Sequence, residues 1–151
     1  MRIYLVLIDE TPEARIALRF AARRAAKTGG GVEILALAEP QEFSAWGGVQ
    51  AALEEEAELR AQAMVVAAAG ELVDELGIRP TITVRQGEPV PAIQALLKER
   101  PEIAALVLGA VATGGPGPLV SHFAGAAAGS MPVPVMIIPG ALSDEALDRL
   151  S

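Results

Sequence analysis

The stretch Leu106-Val107-Leu108-Gly109-Ala110-Val111-Ala112-Thr113-Gly114-Gly115-Pro116-Gly117-Pro118, followed by an alanine-rich run and closed by Pro134-Val135-Met136-Ile137-Ile138-Pro139, decides the fold class. Its two apolar runs are short and continuous, as strands buried on both faces are. The first runs into a loop of glycine and proline, the loop into a helical segment, and that segment into the second strand. Small loop residues let backbone N–H groups come close to a ligand, and the helix N-terminus behind them favours an anion. The stretch is therefore also the first candidate for a phosphate cradle. A bare glycine loop at a strand end can equally be a simple crossover. Pro116 and Pro118 have no N–H to offer, so phosphates would have to sit at Leu119, Val120 and Ser121.

Upstream, the same alternation repeats. Ile3–Ile8 reads as a buried strand. A helix follows over 12–28, with Thr11 as N-cap and Pro12 at its first position. Strands are expected over 32–38 and 81–85, the latter nearer an edge, and a long helix over 49–76 that Gly70 would weaken. An irregular segment over 41–48 holds Phe43 and Trp46. A helix over 90–98 precedes the strand at 103–108, and the strand at 135–138 is the fifth. Ser143, Asp144 and Glu145 open a last short helix. Strands alternating with helices give an α/β fold: a parallel sheet with helices on both faces, wound by right-handed crossovers. Ligands of such sheets sit at the carboxyl ends of the strands, where the winding reverses.

Composition narrows the chemistry. The chain has 151 residues, enough for one domain with a full core; 52% are hydrophobic but only 3% aromatic, so Ala, Val, Leu and Ile must fill that core. A net charge of −7 argues against a nucleic-acid partner, which needs clustered Lys and Arg. With no cysteine and one histidine, disulfides, thiolate nucleophiles and His-rich metal centres are excluded. No run approaches the ~20 apolar residues of a membrane span. A cytoplasmic protein without membrane contact is the default expectation.

Four segments resemble the universal stress protein family over nearly the whole chain: Leu5-Val6-Leu7-Ile8-Asp9, Val32-Glu33-Ile34-Leu35-Ala36-Leu37, Gln86-Gly87-Glu88-Pro89, and Leu106-Val107-Leu108-Gly109 with Pro132 to Pro139. The resemblance implies a five-stranded parallel sheet in the order 3-2-1-4-5, with the layering of the adenine nucleotide alpha-hydrolase-like and flavodoxin-like folds. It implies a domain over 1–140 with a tail over 141–151, and a homodimer through the last strand. Many members bind ATP or a related adenine nucleotide such as AMP, with Mg2+ beside ATP, in a regulatory role in the stress response; others bind none.

On that pattern, nucleotide contacts would come from Asp9, Glu10, Leu37, Gly109, Gly115, Gly117, Ser121 and His122. The motif of the binding branch is Gly, two residues, Gly, nine residues, then Gly with Ser or Thr. Gly109 matches its start, Ala112 stands at the second glycine, and Ser121-His122 falls near the last pair. Gly114, Gly115 or Gly117 would supply the glycines in a shifted register. This departure leaves two readings open: an adenine-nucleotide binder, and a nucleotide-free homodimeric interaction module of the same fold.

Single residues carry alternatives too. Asp9 is either a ligand carboxylate or a cap of the following helix. Ser121 is either a phosphate contact or an ordinary helix-start serine, and His122 is more often a surface side chain than a ligand. Trp46 could lid the site or pack at an interface. Arg15, Arg19 and Arg23 form a solvated helix stripe that would pair with acids on the long helix. No catalytic constellation is present. Convergence of Asp9, Ser121 and His122 would permit at most weak ATP hydrolysis.

Overall fold

The computed structural model describes residues 1–38 and 47–151. In chain order the elements are β1 (Ile3–Ile8), α1 (Pro12–Thr28), β2 (Gly31–Ala38), α2 (Gly47–Leu76), β3 (Thr81–Gln86), α3 (Pro89–Glu99), β4 (Ile103–Ala110), α4 (Pro118–Ser121), β5 (Val135–Pro139) and α5 (Asp144–Leu150). The five strands are parallel and lie in the order β3-β2-β1-β4-β5. Because β1 connects leftward to β2 and β4 rightward to β5, the winding reverses between β1 and β4. The carboxyl ends of those two strands splay their connections to opposite faces and leave a crevice.

Each face of the sheet has its own core. Tyr4, Val6 and Ile8 of β1, with Ala105 and Val107 of β4, point to α1 and α2. Leu5, Leu7, Leu35, Leu106 and Leu108 point to α3 and the segment after α4. The period of two along each strand sorts these side chains. The helices reach the first face through alanines: Ala14, Ala17, Ala21, Ala22 and Ala25 of α1 are buried, and so are Ala57, Ala61 and Ala68 of α2. Small side chains there let the helices lie close to the sheet, which is how a core so poor in aromatics closes.

Three expectations change. The helix after the glycine loop is not continuous. α4 has four residues, then a π turn spans His122–Ala126 and a 3-10 turn Ala128–Ser130. Gly125 leaves helical values there (φ −105, ψ −111), and a glycine-interrupted alanine run has little to hold it helical. Conversely, α2 runs through Gly70 unbroken, because Val65, Ala68 and Leu72 anchor its inner face. The arginine stripe is shared out: Arg15 pairs with Glu71 of α2 (3.9 Å), but Arg19 and Arg23 pair with Asp144 and Asp148 of α5. With Leu147 fully buried, these pairs seat the last helix on α1. Ser143 caps it by accepting from the Ala146 N–H (3.1 Å). Phe43 and Trp46 lie outside the described residues, and the helix expected from Val49 already includes Gly47 and Gly48.

One buried charge fixes β2 against β3 and α3. Glu33 is completely buried; its Oε1 accepts from Thr83 Oγ1 and from Arg100 Nη1 (3.3 Å). Arg85 and Glu99 form a neighbouring bidentate pair, and Arg100 also holds Glu102. The Arg85 guanidinium holds the Glu99 carboxyl below the usual glutamate range, and Arg100 does the same to Glu102.

Candidate functional site

At the reversal of winding the carboxyl ends of β1 and β4 enclose a cavity of about 170 Å3, lined by the turn after β1, the start of α1, the end of β4 and residues 116–120. On the β1 side, Asp9 Oδ1 accepts from the Thr11 N–H (2.8 Å) and from the Thr11 hydroxyl. Thr11 Oγ1 in turn accepts from the Ala14 N–H (3.3 Å) and caps α1. This chain of bonds satisfies part of the helix start and fixes the Asp9 carboxylate at the crevice mouth. The capping role of Asp9 thus holds, through Thr11.

On the β4 side the wall is backbone. Val111 N–H donates to the Pro116 carbonyl (3.1 Å) and closes the loop on itself. Gly117 has φ +102, a value a side chain rarely tolerates, and directs the chain into α4. Within α4 the Ser121 N–H is taken by the Gly117 carbonyl (3.0 Å), and Pro118 has none. Among the described residues Leu119 and Val120 therefore carry the unused amides of the helix start. Gly109 joins the two walls. A Cβ there would lie 2.0 Å from the Glu13 carbonyl oxygen, so only glycine lets the first turn of α1 rest on β4.

Of the residues the sequence points to, Asp9, Gly109 and Gly117 line this crevice. Glu10 lines a separate groove of about 900 Å3 between α1 and α2, which Asp9 also borders. Leu37 packs on the α3 side of the sheet. Gly115 is exposed at the loop tip. Ser121 is exposed with no side-chain bond among the described residues. His122 sets its ring edge-on to Phe123 (4.9 Å between centres), with Nε2 buried and unpartnered among the described residues. Asp9 borders both cavities, whereas Ser121 and His122 line neither.

Glu13, Pro116, Leu119 and Val120 also line the crevice, and of these Glu13 carries no sequence signal for it. Glu13 reaches it only because α1 packs at Gly109. No three acidic or histidine side chains converge to hold a metal among the described residues.

The family model that describes the universal stress protein family matches residues 1–139. The chain belongs to the universal stress protein family. No curated protein sequence matches it. Among solved structures it is similar to the universal stress protein UspA from Lactobacillus plantarum, at 20% identity over 91% of this chain and 97% of that one, with a TM-score of 0.69. It is similar to the universal stress protein from Archaeoglobus fulgidus in complex with dAMP: 19% identity, 91% and 98% covered, TM-score 0.63. A family protein from Arabidopsis thaliana with AMP bound is similar at 15% identity, 96% and 95% covered, TM-score 0.56. At such identities the likeness establishes the fold, which is that of this universal stress protein family: a 3-2-1-4-5 parallel sheet of the adenine nucleotide alpha-hydrolase-like kind. No helix among the described residues is long and apolar enough to cross a membrane.

Proposed function

We propose that this universal stress protein binds an adenine nucleotide in the β1–β4 crevice, and that the ligand is a monophosphate such as AMP rather than ATP. One observation carries the choice: the crevice is lined by two acidic residues, Asp9 and Glu13, and by no Lys or Arg, and Leu119 and Val120 at the start of a four-residue helix bring the only two backbone N–H groups left unused there among the described residues. Two amides suit one phosphate. A triphosphate brings about four negative charges and would meet the two carboxylates without a cation to offset them. Mg2+ would have to arrive with ATP, since the described residues hold no ready metal cluster. The similar structures with dAMP and AMP support the ligand class. The crevice, at about 170 Å3, is smaller than the ~300–1,000 Å3 of a drug-sized ligand site, so the nucleotide must part the glycine loop from α1 as it enters.

That opening gives the regulatory role its physical form. Occupancy sets the position of the loop and of the short α4 that leads to β5, the edge strand. A second copy pairing along β5 would then sense the ligand, in a cytoplasmic stress response. An unpaired edge carrying Ile137, 41% exposed, needs such cover.

The reading is tested by calorimetric titration of nucleotide-stripped protein with AMP, and with ATP plus Mg2+. Saturable AMP binding at least tenfold tighter than ATP is expected. A second reading, the nucleotide-free module, is favoured by the narrow crevice and its two prolines. It would be established by the absence of heat with either ligand, together with an unchanged melting temperature at millimolar AMP.

A further inference from the structure

The outer face of α2 is apolar where it should be polar. Leu59, Ala63, Val66, Gly70 and Val73 recur at spacings of three and four, which places them on one stripe, opposite the buried Ala61, Val65, Ala68 and Leu72. Leu59 is 58% exposed, Val66 59% and Val73 40%. From Leu59 to Val73 the stripe runs about 21 Å along the helix. Gly70 sharpens the point. A glycine inside a helix costs about 1 kcal/mol relative to alanine, yet nothing lies within 4 Å of the Cβ it lacks. The monomer gives no reason for it. A second helix laid across that position would, because a glycine lets two helix axes approach more closely.

The charges beside the stripe say what that second helix is. Arg60 and Asp74 lie two heptads apart on the same flank, and among the described residues neither makes an ion pair or hydrogen bond. In an antiparallel pair of identical helices, each flank faces its own counterpart running the other way. With the two-fold axis midway between Val66 and Ala67, Ala63 meets Gly70, while Leu59 with Val73 and Arg60 with Asp74 come within one residue of direct opposition, each pair occurring twice. We infer that α2 is a self-complementary interface through which two copies of this chain associate antiparallel about the Val66–Ala67 step. The interface lies on the helical layer away from the β1–β4 crevice, and it stands independently of the nucleotide and of pairing along β5.

The cysteine-free chain allows a direct test. In the Val66→Cys protein, mild oxidation at micromolar concentration is expected to give a disulfide-linked dimer, and Gln94→Cys on exposed α3 is expected to give none. By sedimentation, Val66→Glu halves the mass of the species seen for the wild type, with helical circular dichroism unchanged. Arg60→Asp weakens association at least tenfold, and the double reversal Arg60→Asp with Asp74→Arg restores it, which a merely structural role for either residue would not do. Ile137→Glu, placed in β5, leaves the Val66→Cys link intact, so loss of β5 pairing reads out separately. A wild-type mass of one chain throughout the micromolar range, a Val66→Glu mass equal to the wild type, or a double reversal no better than Arg60→Asp alone would overturn the proposal.

Discussion

The turn after β1 and the loop after β4 face each other across one crevice, yet side chains hold the first and backbone holds the second. Asp9, Thr11 and the Ala14 amide form a chain of bonds that starts a helix of 17 residues. The loop from Val111 to Gly117 closes with one backbone bond, turns through two glycines at positive φ, Gly114 and Gly117, and starts a helix of four. The first wall is capped and anchored by buried alanines. The second makes no side-chain cap bond among the described residues and rests on Val120 and Phe123. A ligand that enters should move the second wall and leave the first in place, since local opening starts where buried contacts are fewest.

The largest effect should come where the walls meet. Gly109→Ala puts a methyl group 2.0 Å from the Glu13 carbonyl oxygen, and both atoms belong to packed backbone. Overpacking of this kind costs about 1–3 kcal/mol or more. Urea unfolding should place the loss at or above the top of that range, and AMP binding should fall with it because α1 is pushed off β4. A loss under about 0.5 kcal/mol would mean the walls are not in contact there.

A smaller effect isolates the first wall. Thr11→Val keeps the shape of the side chain but removes both the cap to Ala14 and the hydroxyl that Asp9 accepts. A lost cap costs about 1 kcal/mol. The Asp9 carboxylate, left with only the position-11 N–H as donor, should also repel phosphate more, so AMP binding should weaken by more than stability alone explains. Equal binding in the variant would assign Asp9 to the helix start only.

The smallest effect lies outside both walls and gives a reference. Arg85 holds the Glu99 carboxyl below its usual range. A carboxyl so held contributes stability that is complete above the unfolded glutamate pKa, about 4.3, and is lost as the pH falls through the lower folded value. The pair is exposed, so salt screens it. The melting temperature of Glu99→Gln should lie slightly below wild type at pH 6, and the gap should narrow as the pH falls below about 4.3. A gap that does not narrow at all as the pH falls would contradict the assigned cause.

The contrast between the walls is also a contrast in what the chain made legible. Thr11-Pro12 announces the start of α1 because capping is local chemistry; continuous apolar runs announce β1, β4 and β5, and β3 shows instead as a β-branched stretch suited to an edge. The sheet order and the crevice followed from that alternation together with the family resemblance. α4 was not legible as a four-residue helix, since alanine content promises a helix while the break comes where Gly125 leaves helical backbone values. Nor was Glu13, whose place depends on how closely α1 meets Gly109. The division of the arginine stripe between α2 and α5 was hidden for the same reason: spacing gives the face, but only packing gives the partner.

The central claim is that AMP occupies the β1–β4 crevice and displaces the glycine loop. Amide NMR spectra of labelled protein titrated with AMP test it most directly. The largest shifts are expected at Gly109, Gly117, Leu119 and Val120, smaller ones at Asp9 and Thr11, and none at Met64 or Leu72 in the α1–α2 groove. Shifts confined to that groove, or none at saturating AMP, would contradict it.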